Sequence, residues 1–123
     1  MDTKIYKVVT AEQWAEAQAG APVRAPVDVA DGYVHFSTAA QLQETLDKWF
    51  RGLDGCVLVE FSADDFSADL KWEPSRGGQL FPHVYGLVSA RLAAAVWSLE
   101  LGPEGAPLAP AEVVGDRSGG DVS

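Results

Sequence analysis

Ile5-Tyr6-Lys7-Val8-Val9 is apolar at both parities, a pattern that predicts a central strand over about 5–9. Lys7 interrupts the run, and an edge position is the plain account of that one charge. Thr10-Ala11-Glu12-Gln13 follows as a capping box: the Thr hydroxyl accepts an amide proton three residues on, and Gln13 reaches back. A helix is predicted to about Ala19, with Trp14 and Ala17 inward and Gly20 as its stop. Residues 21–32 hold Pro22, Pro26 and an Asp31-Gly32 pair, so they read as loop. Tyr33 to Ser37 is a second strand. Thr38 and Gln41 repeat the capping box and open a helix over about 39–51. Leu42, Leu46, Trp49 and Phe50 form one apolar stripe, opposite a wet side of Gln41, Gln43, Glu44, Asp47 and Lys48.

Four further strands are predicted at Cys56–Phe61, Leu70–Trp72, Val84–Val88 and Val96–Leu101, with one helical turn inside 89–95. Arg76-Gly77-Gly78 breaks the pattern between the fourth and fifth. Six short strands and two helices specify an α+β fold with a mainly antiparallel sheet, not a regular βαβ winding.

The chain has 123 residues, which predicts one domain. Hydrophobic residues make up 47%, and although 18 of them are Ala, enough large side chains remain for a single core. Residues 1–101 carry the regular patterning. Residues 102–123 hold five Gly and three Pro, and read as a surface meander over 102–110 and a frayed tail over 115–123. No apolar run approaches the length of a membrane span, and the N-terminus lacks a signal-peptide pattern. With Cys56 alone there is no internal disulfide, and a reducing cytoplasm is the expected location. The formal charge of −9 repels a phosphate backbone at long range, so general nucleic-acid binding is not expected. A local basic pocket for one small phosphate stays open.

The chain has two histidines. His35 lies inside a strand between Val34 and Phe36, and Ser37 shares its face by the period of two. His83 sits in Phe81-Pro82-His83-Val84-Tyr85-Gly86, where Pro82 stiffens the backbone just before the imidazole. Each has a plain alternative, a buried ring satisfied by the backbone. If both reach one cleft, a shared site becomes the better account. Tyr6 and Tyr33 offer rings and hydroxyls but also suit a core. Glu73 ends the fourth strand. Arg76 with its two glycines could lie over a phosphate. His35, His83 and Glu73 share no helix or tight loop, which argues against a zinc site. No Walker, dinucleotide-fingerprint, Gly-x-Ser-x-Gly or His-Glu-x-x-His motif occurs.

Taken in order, Ile5-Tyr6-Lys7, Trp14, Asp31 to Thr38 with Gln41, Leu70-Lys71-Trp72-Glu73 and Phe81 to Gly86 resemble a small bacterial family, the domain of unknown function numbered 952. The resemblance spans about 5–97. It implies a fold grouped with ADP-ribosyltransferases, a split antiparallel sheet that clasps a nicotinamide dinucleotide. The implied functional analogy is the RNA 2′-phosphotransferase branch, which works with two histidines. Carried over by residue, it marks His35, Ser37 and His83 as cleft-lining and puts Tyr6-Lys7 at the first-strand motif. Lys7 stands near the spot where active relatives carry a His, and Glu73 is not aligned to a catalytic glutamate.

The expectation is therefore a cytoplasmic domain that binds a nucleotide or NAD-like ligand. His35 and His83 are the candidate catalytic groups. Tyr6, Lys7, Tyr33, Ser37, Glu73, Arg76 and Tyr85 are the candidate ligand contacts, with NAD the candidate cofactor and no metal. Imidazole suits proton transfer at neutral pH, and Arg76 would neutralise a pyrophosphate. The alternative is a non-catalytic ligand-binding or protein-interaction module that kept the fold without the chemistry.

Overall fold

The computed structural model describes residues 3–74 and 78–114. Its strands are β1 (Lys4–Thr10), β2 (Val34–His35), β3 (Cys56–Ser62), β4 (Leu70–Pro74), β5 (Leu80–Val84) and β6 (Ala95–Ser98). Its helices are α1 (Ala11–Gln18), α2 (Pro26–Asp31), α3 (Ala39–Trp49) and α4 (Ala111–Val114). The strands form two antiparallel three-stranded sheets, ordered β1-β3-β6 and β2-β5-β4. The α+β, antiparallel expectation holds at this level. One bridge joins the sheets: Tyr6 and Ser37 exchange both amide-to-carbonyl hydrogen bonds, at 2.8 and 2.9 Å.

The period of two in β1 feeds two cores. Ile5 and Val9 join Val57, Val59 and Phe61 of β3, Val34 and Val84 of the second sheet, and Phe36 just past β2. Tyr6 and Val8 join Leu58, Leu99 and the α3 residues Leu42 and Leu46. Leu42 and Leu46 are fully buried, which contributes roughly 1.5–3 kcal/mol each.

Both predicted capping boxes form, at Thr10–Gln13 and Thr38–Gln41. Several expectations need correction. Residues 21–32 are not all loop. Pro26 stands at the first turn of α2, where no intrahelical N–H is needed, and Gly32 closes the helix at φ +86°. The fifth strand is Leu80–Val84 rather than 84–88, because Phe81 and Pro82 pair with Glu73 and Trp72. The sixth is Ala95–Ser98, and the second is only Val34–His35.

Trp49 is 63% exposed although its helical phase matches the stripe, so coverage rather than periodicity decides its burial. Gln41 is buried, donating from Nε2 to the Leu80 carbonyl at 2.8 Å. Gln43 donates to the Pro107 carbonyl at 3.0 Å and accepts the Ala109 amide at 2.8 Å. The 102–110 meander is thereby pinned to α3, with Ala106 and Pro107 buried. The 115–123 tail lies outside the described residues. No described helix is long and apolar enough to cross a membrane.

Candidate imidazole cleft

His35 and His83 are direct cross-strand partners on β2 and β5, and Lys71 of β4 faces His83 from the other side. A shared row on an antiparallel sheet puts side chains on one face. The ring centroids of the two imidazoles are 5.3 Å apart. Tyr33 stacks on His83 at 4.3 Å and leans on His35 at 4.7 Å and Tyr85 at 5.0 Å. Residues far apart in sequence thus meet in one cluster of four rings.

Each imidazole is held through Nδ1 by a carboxylate. His35 Nδ1 donates to Asp28 Oδ1 at 2.6 Å, and His83 Nδ1 donates to Glu73 Oε1 at 2.7 Å. An ionised carboxylate only accepts, which assigns the proton to Nδ1 in both rings. The Tyr85 hydroxyl donates to the same Glu73 oxygen at 2.8 Å. At Nε2 the two rings differ. His35 Nε2 lies 3.0 Å from Asp31 Oδ2. His83 Nε2 has no hydrogen-bond partner among the described residues.

Asp28 is the residue that sequence reasoning missed. It sits in the stretch read as loop, and its side chain is 1% exposed. Four donors converge on it: Lys7 Nζ at 2.8 Å, the Ala25 amide at 2.7 Å, and the His35 amide and Nδ1 at 3.0 and 2.6 Å. Pro26 at the first helical turn and Gly32 beyond the last were the available signals for α2. Nothing in the sequence marked its third residue as a partner of Lys7.

Electrostatics follow from these contacts. Burial alone would raise the Asp28 carboxyl. The hydrogen bond from His35, the charge and hydrogen bond of Lys7 and the Ala25 amide outweigh it and hold the group at about 2. Burial pulls the Lys7 ammonium below its usual value, against the opposing pull of Asp28. The hydrogen bond from His83, then that from Tyr85, lowers Glu73. The same hydrogen bond to Glu73 pushes the Tyr85 hydroxyl up to about 12.

The predicted residues divide into those the fold gathers and those it sends elsewhere. His35, His83, Tyr33, Tyr85 and Glu73 come together. β1 is an edge strand of its sheet rather than the central strand expected, bridged to the second sheet at Tyr6 and Ser37. Lys7 on it is nonetheless buried, on the Ile5/Val9 side, and reaches the cluster through Asp28. Tyr6 turns away, and its hydroxyl donates to Glu60 at 3.1 Å. Ser37 Oγ sits 3.1 Å from Thr45 Oγ1 of α3, among buried neighbours. Arg76 lies outside the described residues. Lys71 Nζ is 5.2 Å from the Tyr85 ring centroid and brings a cation to the exposed edge of the cluster. Among the described residues no group of three or more His, Cys, Asp or Glu side chains could hold a metal ion.

A depression of about 310 Å³ adjoins the cluster, lined by Arg24, Asp28, Val29, Tyr33, Tyr85 and Leu87 among others.

The family model described as "Protein of unknown function (DUF952)" matches residues 8–98. The crystal structure of protein CC0527 from Caulobacter crescentus is 40% identical, with a TM-score of 0.83 over 86% of this chain and 94% of that one. The crystal structure of a double mutant of CC0527 is similar at 39% identity and a TM-score of 0.82, with the same coverage. The solution structure of CC0527 is 40% identical, with a TM-score of 0.76 over 85% of this chain and 90% of that one. Among curated proteins none matches.

Proposed function

The chain belongs to the DUF952 family, whose description names no activity, and from its geometry we propose that the imidazole cleft binds a nucleotide or NAD-like ligand and transfers an ADP-ribosyl or phosphate group. One observation carries this reading. Two imidazoles sit 5.3 Å apart on adjacent strands, each oriented by a carboxylate on Nδ1. With its proton fixed on Nδ1, His83 keeps an unengaged lone pair at Nε2 in a ring that is otherwise buried, the requirement for general acid–base work on a hydroxyl or a leaving phosphate. In this proposal His83 exchanges the proton, because its Nε2 is the ring nitrogen that no described group engages. His35, engaged at Nδ1 by Asp28 and at Nε2 by Asp31, holds the wall of the cleft beside it. Tyr33 and Tyr85 supply faces for a base, and Lys71 supplies charge for a phosphate. The proposal includes an ADP-ribosyltransferase-like kinship for the split sheet and a cytoplasmic location.

A second reading has its own support. Tyr33 covers the face of His83, and Asp31 stands against His35 Nε2. A cleft filled by its own side chains also fits a binding module that kept the scaffold without the chemistry.

Calorimetry with NAD, ADP-ribose and AMP tests the first reading. Binding heat for at least one of them, weakened in His83→Ala, is the expected outcome. If none gives heat or a shift in melting temperature at saturating concentration, the nucleotide reading fails and the second stands.

A further inference from the structure

The molecule carries a charge of −9, yet two of its guanidinium groups are left without a partner among the described residues, and both border the same apolar trough. The trough consists of two adjoining depressions that share Pro22, Leu87 and Val88 as a common wall. The larger, about 600 Å³, is lined by Trp14, Ala17, Leu87 and Arg91 among others. The smaller is the depression beside Tyr33 and Tyr85, bordered by Arg24. The one carboxylate in either lining is Asp28, already neutralised by Lys7 at 2.8 Å.

The wall is built rigidly. The Val23 amide donates to the Val88 carbonyl at 2.8 Å and ties the two loops together. Ser89 Oγ accepts the Arg91 amide at 3.1 Å and starts the 3-10 turn Ala90–Leu92 that carries the guanidinium. Leu87 stands 77% exposed on the crest between the depressions, more than any other large apolar side chain described. A leucine held in water on a pinned loop stands beside an indole and two guanidinium groups that no described residue engages, the mix of apolar wall and charge that ligand sites use.

We infer that this trough is a binding site for an amphipathic anion, a molecule with an acyl or aryl body and one acidic head. The body lies over Leu87 and against Trp14, and the head pairs with Arg91. Arg24 adds attractive potential from the neighbouring depression. Charge complementarity selects the occupant: a neutral apolar compound leaves the guanidinium groups unsatisfied, and a bare small anion leaves the apolar wall in water. The smaller depression also borders Tyr33 and Tyr85, but the inference stands on Trp14, Arg24, Leu87 and Arg91, which the reading of the imidazole cleft does not use.

Decanoate, decanol and acetate separate the contributions of body and head, with binding followed by amide and indole chemical shifts on the full chain. Decanoate is expected to bind at least tenfold tighter than decanol, to shift the Trp14 indole and the Leu87 to Arg91 amides, and to weaken as salt rises. Acetate alone is expected to give no saturable shift. Arg91→Ala should abolish the preference of decanoate over decanol, Arg24→Ala should reduce it less, and Leu87→Ser should weaken both ligands. All three side chains are exposed, so the variants are expected to melt as the parent does. Equal affinity for decanoate and decanol would overturn the inference. So would an unchanged preference in Arg91→Ala, or shifts that cluster away from this trough.

Discussion

The two imidazoles face each other across adjacent strands, yet their carboxylate partners are built differently. Asp28 is sealed inside, with both oxygens taken by four donors from β1, β2 and the α2 turn. Glu73 lies at the surface on β4, and a single oxygen of it serves His83 and Tyr85. The His35 side is therefore part of the frame: Lys7, Asp28 and His35 connect the first sheet to the second. On the His83 side the ring is buried but its carboxylate is about a third exposed. One dyad ties the two sheets together through a sealed carboxylate, and the other rests on a carboxylate open to water.

The largest effect that would break this comparison is on stability. Asp28→Ala strands the Lys7 ammonium and two amides without acceptors, and should lower unfolding free energy by about 3–5 kcal/mol in urea denaturation. Adding Lys7→Met to that variant should recover part of the loss, because the buried charge goes with it. If Asp28→Ala melts like the parent, the His35 side is not the frame.

Acid comes next. The Asp28 carboxyl lies at about 2 in the fold and near 3.9 in an unfolded chain. Its contribution is present above about pH 4, and it is lost progressively as pH falls toward 2. There the unfolded state binds more protons than the fold. The contribution is on the order of 2 kcal/mol. Denaturation between pH 5 and 2 should show that slope in the parent and a shallower one in Asp28→Ala.

Ligand binding sharpens the contrast between the two rings. His83→Ala should weaken the nucleotide by about 0.5–1.5 kcal/mol. The ring is buried under Tyr33, so some stability goes with it, but its carboxylate partner Glu73 is partly exposed and is not stranded. His35→Ala should instead lower stability by roughly 1.5–3 kcal/mol, since it removes a hydrogen bond to a buried carboxylate. Equal behaviour of the two variants in calorimetry and melting would erase the distinction.

The smallest effect is local. Glu73→Ala removes the hydrogen bond, and with it the charge, that push the Tyr85 hydroxyl up to about 12, so that hydroxyl should ionise closer to the ordinary value of about 10. Ultraviolet titration of the phenolate reads this directly, and the melting temperature should hardly move. A Tyr85 titration unchanged by the substitution would mean that Glu73 is not its partner.

Legibility in the sequence followed how local each cause was. The capping boxes at Thr10 and Thr38 need residues only three apart, and both form as read. The burial of Leu42 and Leu46 needs only helical periodicity. Trp49 has the same periodicity but lies exposed, because coverage comes from other elements. The candidate site divides in the same way. His83 stood out through the stiff Pro82 beside it, and His35 through its strand setting. Asp28 did not stand out, since its importance comes from a lysine 21 positions earlier and a histidine on another sheet.

What the amino-acid sequence determined by itself was the α+β class, the antiparallel tendency, the two capped helices and the pair of histidines worth watching. These rest on propensity, periodicity and capping, which act within a few residues along the chain. Only the tertiary structure decided the register that sets His35 opposite His83. It alone buried Lys7 on Asp28, turned Tyr6 away toward Glu60, and left Arg24 and Arg91 facing an apolar trough. Those outcomes depend on which strands pair and which side chains find partners across the fold. Hydrogen bonds and charge pairs of that range have no signature in the spacing of one chain.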